Sequence, residues 1–290
     1  MDEAQRRLAR SGALELAAVV GEGVLVLSRP CAVRDCLIAC SGGLVEISVR
    51  TGKGGDGVDE VLRHTSLLVE ADGVEISGTR ITGCSTVPDA PAAAVVVHGS
   101  VVGVHVRECA IEGNGECFCE EEASCALHPP GSGPHTAWAG SRRTARGHPR
   151  GGCDGLHAIG DGTEVEMCGC SVSGNSGTGV AAVAGADVKV SASRVEGNGG
   201  HGVVAVGPGS VVELEAGVAV ARQGGHGAKA VAGGEVLLGD RVARLHSNGY
   251  GPWAPGGGVL GGGRQGLVNK ALSYVAGVLC AEDPPGPVRW

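Results

Sequence analysis

The chain has 290 residues, a net charge of −8 and a pI near 5.7, and glycine fills 54 of its positions. The acidic balance excludes the basic footprint of a nucleic-acid-binding protein. No apolar run of about 18 residues is present to cross a membrane as a helix. Glycine has no three-residue period, which excludes collagen, and a hydrophobic share of 42% argues against general disorder. Aromatic residues supply only 2% of the chain, so any core is filled by Val, Ile, Leu and Ala.

The chain opens with MDEAQRRLARSGALELAAVV. Leu8, Leu14, Leu16 and Val19 can share one helical face, with Gln5, Arg6, Arg7 and Arg10 opposite, so residues 3–19 predict a short helix. Acids and arginines stand where a signal peptide needs an apolar stretch, and a cytoplasmic location is expected. In that compartment the twelve cysteines are thiols. Val24 to Leu27 then reads as a strand. Leu44 to Val49 alternates as a second strand, TGKGGDG as a loop, and Leu67 to Glu70 as a further strand.

From Gly73 a repeat becomes legible. GVEISGTRITGC (73–84) aligns with GVHVRECAIEGN (103–114). VEMCGCSVSGNSGTGVAAVAGAD then aligns with VKVSASRVEGNGGHGVVAVGPGS, and Val165 to Val188, Asn175 to Asn198 and Val180 to Val203 are each 23 residues apart. A fixed period of this kind marks a repeat architecture. The frame is interrupted over 115–152, which is rich in Cys, Gly, Pro, His and Arg and has no apolar period. Asp154-Gly155-Leu156 rejoins it. Beyond Ser210 the period loosens, and Gln223-Gly-Gly-His-Gly stands where Asn198-Gly-Gly-His-Gly stood. Residues 259–290 read as a Gly-rich linker, a short helix over 267–280 and a tail.

Each repeat holds three short alternating runs separated by turns. Stacked repeats of this kind build a single right-handed parallel β-helix, an all-β solenoid. About seven or eight coils are expected over 23–258, with 115–152 inserted and the helix of residues 1–22 capping the open end. Alternation places Val188 and Val190 inside, with Lys189 and Ser191 outside. The Gly-Asn pairs belong at a tight turn, where Asn tolerates left-handed angles. Asn114, Asn175, Asn198 and Asn248 fall in one file and can form an amide ladder along the axis. Thr79, Cys109, Cys170 and Ser193 form a second file.

This Gly-Asn/Gly-Val pattern resembles the right-handed parallel β-helix repeat proteins of the pectate-lyase-like superfamily, over about residues 24–258. The short, Cys-containing, Val-rich coils look most like its non-catalytic branch. That branch includes the β-helix domains of F-box-only ubiquitin-ligase receptors and of proteins that bind an SH2-containing adaptor. The resemblance implies a protein-binding, substrate-recognition scaffold with a protein partner and no cofactor, membrane or nucleic acid. Its enzymatic branches imply the alternative, a polysaccharide lyase or glycoside hydrolase working on the face of the first strand.

On that face the outward residues Glu75, His105, Arg107 and Glu166 are the candidate acid/base set, because glycosidases flank the scissile bond with two carboxylates. The bland reading is a solvated charge ladder in which Glu166, Lys189 and Glu213 alternate in sign. Gly200-His201-Gly202 and Gly225-His226-Gly227 match one element of the polygalacturonase set without its paired Asp residues, and are read as turn residues. Cys117, Cys119, Cys125 and His128 have zinc-ligand chemistry, with a spacing that fits no common finger.

Overall fold

A computed structural model describes residues 13–14, 18–50, 58–86, 91–115, 152–239 and 244–262. The described residues are all-β and contain no helix. In chain order, the first turn of the solenoid comprises β1 (Ala13–Leu14), β2 (Ala18–Gly21) and β3 (Leu25–Leu27). The second comprises β4 (Ala32–Arg34), β5 (Leu37–Cys40) and a hairpin of β6 (Gly43–Arg50) and β7 (Val58–Val69). There follow β8 (Glu75–Ser77), β9 (Arg80–Thr82) and β10 (Ala92–His98), then β11 (Val104–Arg107), β12 (Ala110–Glu112) and β13 (Cys153–Ile159). The most regular part is β14 (Glu164–Cys168), β15 (Ser171–Ser173) and β16 (Val180–Val183), followed by β17 (Asp187–Ser191), β18 (Arg194–Glu196) and β19 (Val203–Val206). The chain continues through β20 (Val211–Leu214), β21 (Ala219–Ala221) and β22 (Ala228–Val231), and then β23 (Glu235–Leu238), β24 (Arg244–His246) and β25 (Val259–Gly262).

Strands three apart in sequence join the same sheet, with a step of four where the β6–β7 hairpin intervenes and of two at β25. The first sheet runs β1-β4-β8-β11-β14-β17-β20-β23-β25, the second β2-β5-β9-β12-β15-β18-β21-β24, and the third β3-β7-β10-β13-β16-β19-β22. All neighbours in these orders are parallel and in register, for example Val165↔Val188↔Val212 and Val172↔Val195↔Val220. Nine strands at the usual spacing give the first sheet a length of roughly 38 Å. The inward residues of the three sheets form one continuous core, including Ile76, Val106, Met167, Val190 and Leu214 along the first sheet. Because the side chains are stacked, each coil buries its apolar face only against its neighbours.

Two expectations are corrected at the N-terminal end. Ala13–Leu14 and Ala18–Gly21 are strands, not the second half of a helix, because they register onto Ala32–Val33 and Leu37–Cys40 of the next turn. The strands therefore begin before residue 23, while residues 1–12 lie outside the described set. Leu44 to Val49 is not a strand of the coil frame. It belongs to β6, which pairs antiparallel with β7 as a hairpin added to the third sheet. Its Ile47 packs with Leu68, Ala93, Val96 and Ile159 in a second, smaller cluster on the outer side of that sheet. The helix expected over 267–280 lies outside the described residues.

The Gly-Asn turns divide their labour differently from the expectation. Glycine takes the left-handed backbone, with φ of 65° at Gly113, 64° at Gly174 and 65° at Gly197. The asparagine that follows is thereby free to turn inward. Asn114 Nδ2 donates to Asn175 Oδ1 (2.8 Å), Asn175 Nδ2 to Asn198 Oδ1 (3.0 Å) and Asn198 Nδ2 to Gln223 Oε1 (3.1 Å). The Gln223 amide N–H donates to Asn248 Oδ1 at 3.1 Å. Each amide also donates to a core carbonyl, as Asn175 does to Ile111 O at 3.1 Å. Asn114, Asn175 and Asn198 are completely buried with their polar atoms satisfied, the condition under which a buried polar network stabilises. The glycines of the Asn-Gly-Gly-His-Gly turns serve close stacking. A Cβ built on Gly179 would lie 2.7 Å from Gly202 O, and one on Gly202 would lie 2.5 Å from Gly227 O.

Asn175→Ala should lower unfolding free energy by about 3 kcal/mol, since it leaves buried ladder groups above and below without partners. Asn248→Ala, at the partly exposed end of the file, should cost about 1 kcal/mol. Gly202→Ala should cost about 3 kcal/mol by forcing neighbouring coils apart. Urea titrations of the three variants give the order; equal losses at Asn175 and Asn248 would contradict the ladder account.

Candidate functional site

The first sheet brings three of the four candidate acid/base residues into one outward file. Glu75, His105 and Glu166 are consecutive partners across β8, β11 and β14, and the file continues through Lys189 and Glu213. Arg107 stands two residues further along its strand, beside Ser77 and Cys168. Glu75 is bound by Arg34, whose Nη2 donates to Oε2 at 2.9 Å. The hydrogen bond and charge of Arg34 hold Glu75 below the ordinary carboxylate range. His105 Nδ1 lies 3.0 Å from Glu166 Oε2, and Glu166 is more than half exposed. Glu75 is thus engaged on an open sheet surface, while His105 Nδ1 makes no hydrogen bond to Glu166. A carboxyl that must donate a proton needs the opposite perturbation.

One carboxyl of this face is raised. Asp187 is pushed up by partial burial and by its neighbour Glu164, with Lys189 opposing. It is the register partner of Glu164, and its Oδ1 has no hydrogen-bond partner.

A second polar constellation, on the outer side of the third sheet, was not singled out from the sequence. His157, Ala181, Val204 and Lys229 are successive partners on β13, β16, β19 and β22, and Lys229 bridges to Trp253. They are buried although they point away from the main core, Lys229 being only 4% exposed. At one end His157 Nδ1 is 3.2 Å from Arg63 Nη1 and its Nε2 is 3.3 Å from Asp154 Oδ2. Arginine can only donate, so Nδ1 accepts and the ring proton sits on Nε2, facing Asp154. Burial, reinforced by Arg63, pushes His157 well below the usual imidazole range. Burial raises Asp154 to about 7, against the opposing hydrogen bond from the Thr178 N–H and the charge of Arg63.

At the other end the two histidines of the Gly-His-Gly turns stack. The His201 and His226 rings are 5.2 Å apart, and His226 lies against Trp253 at 5.1 Å and 11°. His201 Nδ1 accepts the backbone N–H of His226 at 2.9 Å, and its Nε2 lies 3.4 Å from Lys229 Nζ. The Lys229 ammonium sits 4.5 Å from the centre of the Trp253 ring, a cation–π distance. Burial, then Lys229 and His226, lower His201 to about 3. His201 and His226 stand 25 residues apart in matching Gly-Gly-His-Gly turns, so their stacking was legible. The contribution of Lys229 and Trp253 was not, because Trp253 lies beyond Pro252, where the repeat is no longer written in the sequence.

Cys117, Cys119, Cys125 and His128 lie outside the described residues. Among the described residues, no group of three or more His, Cys, Asp or Glu side chains could hold a metal ion, and no helix is long and apolar enough to cross a membrane. No protein family, curated protein or solved structure matches the chain.

The depressed histidines fix a pH dependence. Both are neutral in the fold and become protonated on unfolding below their ordinary value of 6.5, so the stability they confer is lost as pH falls from there toward about 3. Asp154 and the partly buried Asp187 act in the opposite sense, their raised values relieving a cost as pH drops, from about 7 for Asp154, while the lowered Cys84 thiol acts with the histidines. The thermal midpoint should fall between pH 6.5 and about pH 5. His157→Gln/His201→Gln should make that fall markedly shallower. A double variant with the wild-type slope would contradict the assignment.

Proposed function

We propose that the chain is a non-catalytic protein-binding scaffold, a right-handed β-helix of the kind its repeat resembles, that presents the outward files of its sheets to a protein partner. The observation that carries this reading is the fixed charge file of the first sheet. Glu75, His105, Glu166, Lys189 and Glu213 are held one coil apart by parallel register. A rigid array in which Glu166, Lys189 and Glu213 alternate in sign offers orientation and specificity to a complementary protein surface. The engagement of Glu75 by Arg34 favours recognition over proton transfer. The superfamily resemblance supports the same reading.

The test is affinity capture from cell extract, comparing the wild-type chain with Glu166→Lys/Glu213→Lys. A partner should be recovered with the wild type, and its recovery should fall at least about tenfold with the charge-reversed chain, since like-charge contacts at an interface cost several kcal/mol. Absence of any specific partner, or equal recovery by both chains, overturns the reading.

The Glu164–Asp187 pair favours a second reading, a glycoside hydrolase in which the raised Asp187 carboxyl protonates the leaving oxygen and Glu164 acts as its partner carboxylate. Release of reducing sugar from an acidic or neutral polysaccharide, lost in Asp187→Asn, would establish it. Turnover of such substrates that is unchanged by the substitution would reject it.

A further inference from the structure

Cys84 and Cys153 lie far apart in sequence and meet at the point where the coil frame is broken. The inserted segment leaves the coil after Gly115 and returns at Cys153. Gly115 N donates to Cys84 O at 2.6 Å, and a Cβ built on Gly115 would lie 2.9 Å from Cys153 Cβ. The Cys84 thiol lies 3.7 Å from Ala93 O on β10, and Ala92 and Ala93 are the register partners of Cys153 and Asp154. Both side chains lie in the core there, the Cys153 thiol directed to Asp154 O at 3.6 Å and Cys84 Sγ 3.9 Å from His64 Nδ1, and each thiol perturbs the other electrostatically. Cys40 is also near, but its thiol is directed to Val19 O at 3.8 Å.

We propose that Cys84 and Cys153 are a two-electron oxidation site, forming a disulfide across the neck of the insertion when the protein meets a hydroperoxide. The neighbouring Cys153 thiol, ahead of the contributions of His64 and Ser66, lowers Cys84 to about 5, while Cys153 is raised. That separation gives one attacking thiolate and one resolving thiol. His64 takes the Cys84 proton. The Cys84 thiolate attacks the peroxide, a sulfur–oxygen bond forms and the O–O bond breaks. The departing alkoxide or hydroxide takes the proton from His64, and Cys84 becomes a sulfenic acid. The Cys153 thiol then attacks that sulfur, the S–S bond forms, and the S–O bond breaks to release water with the Cys153 proton. In balance, two thiols and one hydroperoxide give one disulfide, one alcohol (or water) and one water.

Both thiols are closed off from solvent, so the oxidant reaches them through local opening. Their reaction is slower than that of the exposed Cys168, and its product differs. Cys168 has no resolving thiol in hydrogen-bond contact among the described residues and continues up the oxidation ladder.

The experiment treats the reduced full chain with hydrogen peroxide, denatures it in N-ethylmaleimide and maps the peptides by mass spectrometry. The expected product is a dithiothreitol-sensitive cross-link between the Cys84 and Cys153 peptides. Oxidised protein should also show a raised thermal midpoint that reverts on reduction. In Cys153→Ser, and again in Cys153→Ala, a dimedone adduct at Cys84 should replace the cross-link. Recovery of both residues as maleimide adducts after Cys168 is fully oxidised overturns the proposal. So does a cross-link that joins Cys84 to Cys40.

Discussion

The constraint on which everything else rests is the parallel, in-register stacking of coils at roughly 4.8 Å. Once a residue is fixed on one coil, its counterpart lies directly above it, and each inward position becomes a continuous file. An apolar file is self-consistent at once, as in Val165, Val188 and Val212. A polar file is tolerated only if each member satisfies the next. The Asn114–Asn175–Asn198–Gln223 file does so, because a side-chain amide carries both a donor and an acceptor and can pass a hydrogen bond along the axis. The same stacking explains the glycine content: where turns close on one another, a Cβ would collide with the carbonyl of the adjacent coil, as at Gly202.

Stacking also governs the outer surfaces, with different consequences on each sheet. On the first sheet charges of opposite sign are brought into line in the open, where each pair contributes little to stability but holds a fixed pattern. On the third sheet the outward file is buried. There the file from His157 to Lys229 and its neighbours Asp154 and His201 are poorly solvated, and Asp154, His157 and His201 adjust their protonation to it. Among the described residues, the outer face of the third sheet therefore carries buried and shifted His and Asp groups where the sequence showed only Gly-rich turns.

The fold was legible because its period is written in residue types that the stacking requires: alternating Val in the strands, Gly before Asn at the turn, and paired glycines after it. The break at 115–152 and the return at Asp154-Gly155-Leu156 were readable for the same reason, since β13 resumes the third sheet there. The N-terminal strands were misread because Leu8, Leu14, Leu16 and Val19 carry helical spacing, and only pairing with β4 and β5 decides their conformation. The β6–β7 hairpin was hidden because alternation at Leu44 to Val49 fits either direction of pairing. Among site residues, the file Glu75–His105–Glu166 followed from the frame. The ion pairs that occupy it did not, because Arg34 sits in a turn of the solenoid where the repeat is irregular.

The central claim is that one unbroken register runs through the first sheet on both sides of the inserted segment. The most direct measurement is the distance between spin labels on non-canonical residues at positions 75 and 213, read by double electron–electron resonance. Four coil steps separate these positions along the file Glu75, His105, Glu166, Lys189 and Glu213. The predicted result is a single narrow distribution centred at about 19 Å plus the length of the labels. A broad distribution, or one displaced by a whole coil step, would contradict it.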